Sequence, residues 1–305
     1  MKKTILITGG TGLIGQRLID YLNSDLYDFR ILTRNKSKVD QYPLYYYWNP
    51  SNQEMDPEAI QGADIIINLA GAGIADKRWS ATRKKVLLDS RVDSIKTLEK
   101  YIKSSDSRPE LLIGASAIGI YGDRGEQRLV ESDERGPGFL SDITSSWEDA
   151  YDSLEVLIPR SIIMRIGIVL STKGGALKEI LKPGSAGMFG YFGNGKAYYS
   201  WIHIDDICEI IKQAILNPAY KGIVNATAPE PVSIKQLVAD AKAASGKPGL
   251  LMPVPGFGLK IMLGEMATML LNSTRVIPQS LLDLKHNFKF LNAEKAIKDL
   301  LDRKI

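Results

Sequence analysis

Three glycines at the end of a short apolar run have the spacing of a turn that binds phosphate groups. Residues 8–15 read Thr-Gly-Gly-Thr-Gly-Leu-Ile-Gly, directly after the strand pattern Thr4–Thr8 and at the start of a helical one. In such a turn Gly9 permits the bend out of the strand, Gly12 lets a pyrophosphate approach the backbone, and Gly15 allows close helix–strand packing. The helix start then offers free N–H groups to the phosphates. This context predicts a dinucleotide site rather than a glycine turn without a ligand, and the predicted contacts are Gly9, Thr11, Gly12, Leu13, Ile14 and Gly15.

The end of the second strand pattern distinguishes between the two nicotinamide dinucleotides. This pattern, Phe29–Thr33, is followed by Arg34, and no acidic residue lies between Arg30 and Asp40. A site for NAD usually has an acidic residue here that accepts the ribose 2′-hydroxyl, whereas an arginine accommodates the 2′-phosphate of NADP. Thr33 and Arg34 therefore predict NADP(H) as the cofactor. The alternative is a surface arginine at the end of a strand.

A third strand end carries small residues. The uniformly apolar pattern Ile65–Leu69 runs into Ala70 and Gly71. Such residues let a flat cofactor ring lie against the strand end, so Leu69, Ala70 and Gly71 are predicted cofactor contacts. A turn after a buried strand satisfies the same pattern, and the two interpretations do not exclude each other.

These residues can meet only if their strands end at one edge of a sheet. Apolar strand patterns alternate with helical ones, as in a doubly wound parallel sheet with right-handed crossovers. The predicted class is therefore α/β, a Rossmann-type doubly wound parallel sheet with a smaller C-terminal cap. Besides the strands already given, the predicted elements of the first part are strands at Leu44–Trp48, Leu111–Ala115 and Ser161–Ile166, and helices at about Gly12–Asn23, Ala81–Ser104 and Leu140–Leu157.

The pattern changes after about residue 171. We predict an NADP-binding domain at residues 1–170, joined by a later strand and helix from 198–226, and a substrate or cap region at 171–305 with a separate segment at 248–305. Gly184–Gly195 is predicted to be a flexible loop over a substrate pocket, the alternative being a disordered surface loop. The other predicted elements of this part are strands at Tyr198–Ile202 and Ile223–Ala226, and helices at Asp205–Leu216, Ser233–Ala244, Phe257–Leu271 and Asn292–Leu301. Apolar residues of Phe257–Leu271 cover either the chain's own core or a second subunit, which leaves a homodimer open.

Composition excludes several classes of protein. The 305 residues are 44% hydrophobic and 24% charged, with a net charge of +4 and no arginine-rich tail, which argues against a nucleic-acid partner. No run reaches the roughly 20 apolar residues of a membrane span, and the apolar run after Lys3 stops at Gly9, too early for a signal peptide. The single cysteine, Cys208, fits a reducing compartment, so we expect a cytoplasmic protein. Because the sequence has only two histidines in addition to that one thiol, no metal site is expected.

Further motifs fall in a characteristic order along nearly the whole chain. They are Asn68–Gly71, Asp89-Ser90-Arg91, Ser116–Gly122, Trp147-Glu148, Arg165, Trp201–Asp206, Leu263–Met266 and Val276-Ile277-Pro278. Together with the glycine turn, they make the chain resemble the extended short-chain dehydrogenase/reductase superfamily. More narrowly, it resembles the atypical nucleoside-diphosphate-sugar-epimerase-like proteins with a C-terminal domain of unknown function. The resemblance implies an NADP-binding fold and leaves the substrate undefined.

The chemistry that this resemblance implies depends on a tyrosine and a lysine four residues apart on a helix. The lysine lowers the pKa of the tyrosine, which then exchanges a proton with the substrate carbonyl. Here Ile143 and Trp147 stand in those two positions, and none of the 13 tyrosines is followed by a lysine four residues later. The usual proton-transfer pair is therefore absent from the sequence.

Four polar residues remain as candidates for the chemistry: Ser116, Tyr121, Glu148 and Tyr151. Ser116 directly follows the strand pattern Leu111–Ala115. If the chain catalyses a reaction, we expect Ser116 to donate a hydrogen bond to a carbonyl and Tyr121 to act as the acid. Packing of Tyr121 beside the nicotinamide is the alternative. Glu148 can equally wall the pocket and cap backbone groups.

Three further residues have roles suggested by their position. Arg91 is predicted to reach from the third helix to a cofactor phosphate or ribose, the alternative being a surface ion pair with Asp89 or Asp93. Arg165 is predicted to pack under the sheet end and order loops, and either aspartate after His203 to cap the following helix.

The sequence thus predicts an NADP(H)-dependent oxidoreductase or epimerase-like protein without the Tyr/Lys pair. Its substrate would be a small carbonyl or hydroxyl compound. The alternative is an NADPH-binding sensor or scaffold that has lost turnover.

Overall fold

A computed structural model describes residues 2–22 and 24–303, apart from the side chain of Ser185. Its strands are β1 (Lys3–Thr8), β2 (Tyr27–Thr33), β3 (Tyr45–Asn49), β4 (Glu54–Met55), β5 (Ile65–Asn68), β6 (Leu111–Ala117), β7 (Arg128–Leu129), β8 (Ser161–Ile166), β9 (Ile168–Leu170), β10 (Met188–Phe192), β11 (Tyr198–Tyr199), β12 (Trp201–His203), β13 (Gly222–Ala226), β14 (Val232–Ser233), β15 (Leu250–Val254) and β16 (Arg275–Val276).

The α-helices lie between these strands and at the C-terminal end of the described chain. They are α1 (Leu13–Tyr21), α2 (Lys36–Gln41), α3 (Ala81–Lys103), α4 (Phe139–Glu155), α5 (Gly175–Leu181), α6 (Ile204–Leu216), α7 (Ile234–Ser245), α8 (Gly256–Leu263), α9 (Thr268–Leu271), α10 (Gln279–Asp283) and α11 (Ala293–Asp302). Short 3₁₀ segments include Ile118–Tyr121, directly after β6, and Gly264–Ala267, between α8 and α9.

Eight strands form the main sheet in the order β13-β8-β6-β5-β1-β2-β3-β4. All neighbours pair in parallel except β3 and β4, which are antiparallel at one edge. Two apolar clusters cover its faces, one including α1, α6, α7 and α11, the other including α3 and α4. The central strands are buried on both faces, which is why their sequences are continuous apolar runs. The predicted doubly wound sheet with a smaller C-terminal region is confirmed.

Parallel strands place all their carboxyl ends at one edge of this sheet. The ends of β6, β5, β1 and β2 lie there in that order, so neighbouring strand spacings put β2 about 14 Å from β6. A dinucleotide can extend across this distance.

Several element predictions for the second part of the chain were wrong. The predicted strand Tyr198–Ile202 is two short strands outside the main sheet, β11 paired with β14 and β12 paired with β9. The predicted loop Gly184–Gly195 contains β10, which pairs in parallel with β15. The predicted helix Phe257–Leu271 is broken at Gly264, whose φ of 62° cannot continue a helix.

Other boundaries differ less. The first helix ends at Tyr21, and the predicted end at Asn23 lies outside the described residues. The strand that joins the main sheet from the later sequence is β13, beside β8. On α8, the side chains of Phe257, Ile261 and Met262 are 72%, 75% and 65% exposed, so they do not cover the chain's own core. A second subunit there stays a prediction.

Candidate functional site

The helix start after β1 is open to a ligand. Gly12 is the N-cap of α1 and supplies no side-chain cap, and the N–H groups of residues 13, 14 and 15 have no backbone or side-chain acceptor among the described residues. Thr11 and Gly12 are exposed. By contrast, Ser80 and Ser233 cap α3 and α7 with their side chains. Free N–H groups at an exposed helix start attract an anion.

The glycines fix the shape of this turn. Gly9 has a φ of 66°, and a Cβ there would lie 2.6 Å from the carbonyl oxygen of Leu69. A Cβ at Gly15 would lie 2.5 Å from the Cα of Gly10, so this glycine packs α1 on the turn itself rather than on a strand. Only glycine fits both positions, because each brings one backbone into contact with another.

The end of β2 carries an unpaired positive charge. Arg34 is exposed and has neither a hydrogen-bond partner nor an ion-pair partner within the described part of the chain. Thr33 is buried, and its hydroxyl accepts a hydrogen bond from the N–H of Asn35 at 3.2 Å. The ammonium groups of Lys36 and Lys38 lie over the rings of Tyr47 and Tyr45, and they add to the positive potential of this edge.

Buried polar side chains hold the end of β5 against β1. The hydroxyl of Thr8 donates to Asn68 Oδ1 at 2.6 Å and accepts from the N–H groups of Leu69 and Ala70, both at 3.1 Å. Asn68 Nδ2 donates to the hydroxyl of Tyr151 on α4 at 3.0 Å. This network fixes the turn at residues 69–71 relative to the glycine turn.

Arg91 reaches this turn from α3. Its guanidinium carbon lies 3.3 Å from where a Cβ of Gly71 would be, and 4.8 Å from the ring centroid of Trp147. The alternative predicted for it, an ion pair with Asp89 or Asp93, is not formed: Asp89 pairs with Lys85, and no carboxylate lies within 4 Å of Arg91 among the described residues.

Three strands contribute a row of polar residues near the carboxyl edge. Ser116 on β6 pairs in register with Arg165 on β8, which pairs with Asn225 on β13. Glu148 on α4 accepts from Ser116 Oγ at 2.5 Å and from Arg165 Nε and Nη2 at 2.9 and 2.8 Å. Arg165 is 6% exposed, so this bidentate ion pair is largely shielded from water.

Tyr121, the predicted acid, is buried between Asn225 and Arg165. Its side chain is 0% exposed, and its hydroxyl donates to Asn225 Oδ1 at 2.8 Å and accepts from Arg165 Nη1 at 2.9 Å. Burial raises the pKa of this phenol, although Arg165 opposes the effect. The hydroxyl therefore joins the loop after β6 to β13, with its proton donated to Asn225 and a lone pair taken by Arg165.

On α4, apolar side chains stand at the two positions where the usual pair would have its tyrosine and its lysine. Ile143 packs with Trp79, Leu87 and Met266, and Trp147 belongs to the cluster between α4 and the sheet. Tyr151 is also buried, which raises the pKa of its hydroxyl. Ile143 and Trp147 carry no group that can transfer a proton, and the Tyr151 hydroxyl is engaged by Asn68 and by the carbonyl of Ala115.

His203 differs from its prediction. It is itself the N-cap of α6, since its Nδ1 accepts a hydrogen bond from the N–H of Asp205 at 3.0 Å. Asp205 instead pairs with Arg17 and Arg303, and Asp206 accepts from the N–H groups of residues 289 and 290.

The sequence reasoning missed two residues of the site. Asn225 interrupts the apolar run of β13, and a lone polar residue in such a run was a usable signal. Arg83 on α3 donates to the carbonyl of Gly73, and nothing in its own sequence context indicated that contact.

Across the described residues, no group of three or more histidine, cysteine, aspartate or glutamate side chains could hold a metal ion. None of the helices that the structure describes is long and apolar enough to cross a membrane.

Comparison with known proteins matches both parts of the chain. Residues 5–140 match the model of the NAD dependent epimerase/dehydratase family, and residues 254–300 match a domain of unknown function, DUF1731. A chloroplastic SDR39U1 homolog of Arabidopsis thaliana, called an epimerase family protein, is 33% identical over 98% of this chain and 86% of its own.

Two solved structures are similar in fold. The human epimerase family protein SDR39U1 (isoform 2) with NADPH has a TM-score of 0.86 and 26% identity, covering 99% of this chain and 100% of that one. A nucleoside-diphosphate sugar epimerase of Corynebacterium glutamicum has a TM-score of 0.79 and 30% identity, covering 98% of this chain and 58% of that one. The chain therefore belongs to the NAD-dependent epimerase/dehydratase family, with a DUF1731 domain after the nucleotide-binding fold.

Proposed function

We propose that the chain binds NADP(H) along the carboxyl edge of the sheet. The pyrophosphate would lie at the start of α1, the 2′-phosphate at Thr33 and Arg34, and the nicotinamide half along residues 69–71 towards Ser116. The observation that carries this proposal is the uncapped, exposed start of α1 with the unpaired Arg34 one strand away. The NADPH in the human relative supports it.

The preference between cofactors tests the role of Arg34. We expect NADPH to bind more tightly than NADH, and Arg34→Ala to weaken NADPH binding about tenfold or more while leaving NADH unchanged, because a charge-assisted contact to phosphate is lost. Fluorescence titration measures both affinities. Lys221→Ala is the matched control, since this exposed lysine precedes β13 at the opposite edge of the sheet. Equal affinities of the wild type for NADPH and NADH would contradict the assignment.

Gly12 tests where the pyrophosphate lies. Its φ of −81° and ψ of 178° suit any residue, and a Cβ there would lie 3.2 Å from the carbonyl oxygen of Gly9, a close contact that a small shift of the turn would relieve. The side chain of Gly12→Val would instead project where the phosphates must approach, and we expect NADPH binding to be lost with the fold retained. Calorimetric titration and circular dichroism check the two parts; undiminished binding would place the phosphates elsewhere.

We further propose that the chain oxidises or reduces a small hydroxyl or carbonyl compound, with Ser116 and Glu148 handling the proton. The bound nicotinamide would accept or donate the hydride. Ser116 Oγ directs its proton at Glu148, which leaves its lone pairs for a substrate hydroxyl. Arg165 donates two hydrogen bonds to the carboxylate of Glu148 and holds it beside Ser116. In the oxidation direction the hydroxyl proton would pass to Ser116 Oγ and the Ser116 proton to Glu148, and a bound oxidised nicotinamide would supply the acceptor for the hydride of the substrate carbon.

In this proposal Glu148 has the proton-transfer role that was predicted for Tyr121 from the sequence. Ser116→Ala and Glu148→Gln should abolish reduction of NADP⁺ by a panel of hydroxy compounds and leave NADPH affinity unchanged. Tyr121→Phe is the discriminating variant, because it should retain most turnover. Loss of turnover in Tyr121→Phe, with turnover retained in Ser116→Ala and Glu148→Gln, would assign the proton transfer to Tyr121 instead.

A second candidate function is an NADPH-binding sensor without turnover. The burial of Ile143 and Trp147 in apolar clusters favours it, because the usual proton-transfer pair has been replaced by packing. Tight NADPH binding together with no oxidation of NADPH and no reduction of NADP⁺ across the panel would support this candidate over the enzyme.

A further inference from the structure

Arg91 has donors that no group of the described chain uses. Its Nη1 donates to the carbonyls of Leu87 at 2.8 Å and Ala72 at 3.3 Å. Its Nε and Nη2 have no acceptor among the described residues, and neither is completely buried. These two nitrogens form one side of the planar guanidinium, the arrangement that binds a carboxylate or a phosphate through two parallel hydrogen bonds.

The position of this guanidinium is fixed by its surroundings. It lies over the ring of Trp147, in the space that a side chain at Gly71 would occupy, and its two hydrogen bonds to backbone carbonyls hold its orientation without a ligand. Burial, with a contribution from the nearby Arg83, lowers its pKa to about 10, which leaves it charged at neutral pH. A largely buried charge without an opposite partner is costly, and an anionic ligand would offset that cost.

Arg83 brings a second positive charge to the same turn. It lies eight residues before Arg91 on α3, and its Nη2 donates to the carbonyl of Gly73 at 2.6 Å, next to the Ala72 carbonyl that Arg91 uses. Its Nε is buried and has no partner among the described residues. Its ion pair with Asp76 is long, at 3.6 Å, and Asp76 is 66% exposed, so that pair neutralises little of the charge.

We propose that Arg91, assisted by Arg83, forms an anion-binding subsite at the turn after β5 that takes a carboxylate or phosphate group. The turn lies one strand from the start of α1 and one strand from Ser116. The start of α1 already has free N–H groups for the pyrophosphate, so the proposal gives the anion at Arg91 to the substrate, in place of the cofactor contact predicted for Arg91 from the sequence. Resting on the proposed function, this assigns the reaction to a hydroxy or oxo compound that carries an acidic group.

Titration of simple anions tests the subsite. Inorganic phosphate and malonate are added to the free protein and to the protein saturated with NADP⁺, and binding is followed by calorimetry. We expect saturable binding in both states, weakened at least about tenfold by Arg91→Gln, since two hydrogen bonds to a charged group are lost. Arg91→Lys keeps the charge without the planar group and should bind with intermediate affinity. Lys85→Gln on the same helix is the matched control, because Lys85 is 75% exposed and pairs with Asp89.

The affinity for NADP⁺ distinguishes whether the subsite binds an acidic group of the substrate or a phosphate of the cofactor. Loss of phosphate binding in Arg91→Gln with unchanged NADP⁺ affinity supports a substrate acid. Competition between phosphate and NADP⁺, with NADP⁺ affinity lowered in Arg91→Gln, supports the subsite but assigns it to the cofactor pyrophosphate.

No saturable phosphate or malonate binding by the wild type, or no effect of either Arg91 variant, overturns the subsite. Circular dichroism checks the fold, and Arg91→Lys carries the test if Arg91→Gln unfolds. The free-protein titration needs no cofactor, so a failed NADP(H) assignment and a failed subsite are separate results.

Discussion

Glu148 connects a helix to two strands through its carboxylate. One oxygen accepts from Ser116 and from Arg165 Nε, and the other accepts from Arg165 Nη2. Arg165 continues the chain to the hydroxyl of Tyr121 and the carbonyl of Glu131. Because the pair is shielded from water, each charge depends on the other for its solvation.

Replacing one partner of this ion pair should therefore destabilise the folded protein more than replacing both. Arg165→Met leaves the carboxylate of Glu148 without its cation, and we expect the free energy of unfolding to fall by about 3 kcal/mol. The double variant Arg165→Met/Glu148→Leu should recover a large part of that loss. Urea unfolding of the two single variants and the double variant measures the coupling, and strictly additive effects would show that the pair is not coupled.

At the scale of elements, the start of α6 depends on a neutral histidine. His203 is fully buried, its Nδ1 accepts the N–H of Asp205, and its ring lies 4.1 Å from that of Phe290. Burial lowers its pKa to about 4. Protonation of Nδ1 would remove the cap, so the folded state resists it.

This shift predicts an acid sensitivity. As the pH falls from about 6.5 towards 4, the unfolded chain binds a proton on His203 before the folded chain does, so stability is lost over this range, by up to about 3 kcal/mol. Asp206, whose pKa burial raises to about 6, acts in the opposite sense and reduces the net change.

The variant His203→Asn isolates the histidine, since asparagine can still cap the helix. We expect the wild type to be the more stable protein at pH 7 and its advantage to shrink as the pH falls to 4.5. Unfolding in urea at several pH values measures this difference. Parallel stability curves for the two proteins would show that His203 does not titrate as described.

Elements governed by local pattern were predictable, and those governed by tertiary contacts were not. The run Ile5–Ile7 is apolar because both faces of β1 are covered, and the turn after it needs glycine for its own backbone. In contrast, β10 forms only because β15 lies beside it, and Gly184–Gly195 alone carries no such signal. Asp205 and Asp206 resembled helix caps in sequence, but both have partners that are distant along the chain. Asp205 pairs with Arg17 and Arg303, and Asp206 accepts hydrogen bonds from the backbone after residue 288.

At the scale of the whole molecule, the nucleotide-binding sheet is completed by residues far along the chain. β13 covers the edge of β8, and α6 buries Ile207, Ile210 and Ile211 completely in the larger apolar cluster. The segment 273–277 then hydrogen-bonds to the loop after β6, with Ser273 donating to Gly125 and Thr274 to Gly122. The sheet and its C-terminal part are thus mutually dependent.

A truncated chain should therefore fail to fold. We expect residues 1–170 alone to lack a cooperative unfolding transition and to bind no NADPH, because the edge of β8 and the face under α6 would be exposed. The full chain should unfold in a single transition. Thermal unfolding by circular dichroism compares the two, and a cooperatively folded 1–170 fragment that binds NADPH would contradict this view.

The candidate site shows the same limit of sequence reasoning. The glycine turn and Arg34 were readable because a few neighbouring residues define each of them. The contact between Glu148 and Arg165 joins α4 to β8, and only the folded sheet brings the two together. The hydrogen bond of Tyr121 could not be predicted for the same reason, since its partner Asn225 lies 104 residues away in sequence.

The packing of Ile143 and Trp147 also constrains how this chain could be converted by mutation. Ile143→Tyr would force a larger, polar side chain among Trp79, Leu87 and Met266, and Trp147→Lys would remove the ring under Arg91 and set a second cation beside it. Each single step towards the usual catalytic pair would therefore destabilise the protein before the pair existed. The usual pair could therefore be introduced only together with substitutions in the side chains that pack around both positions.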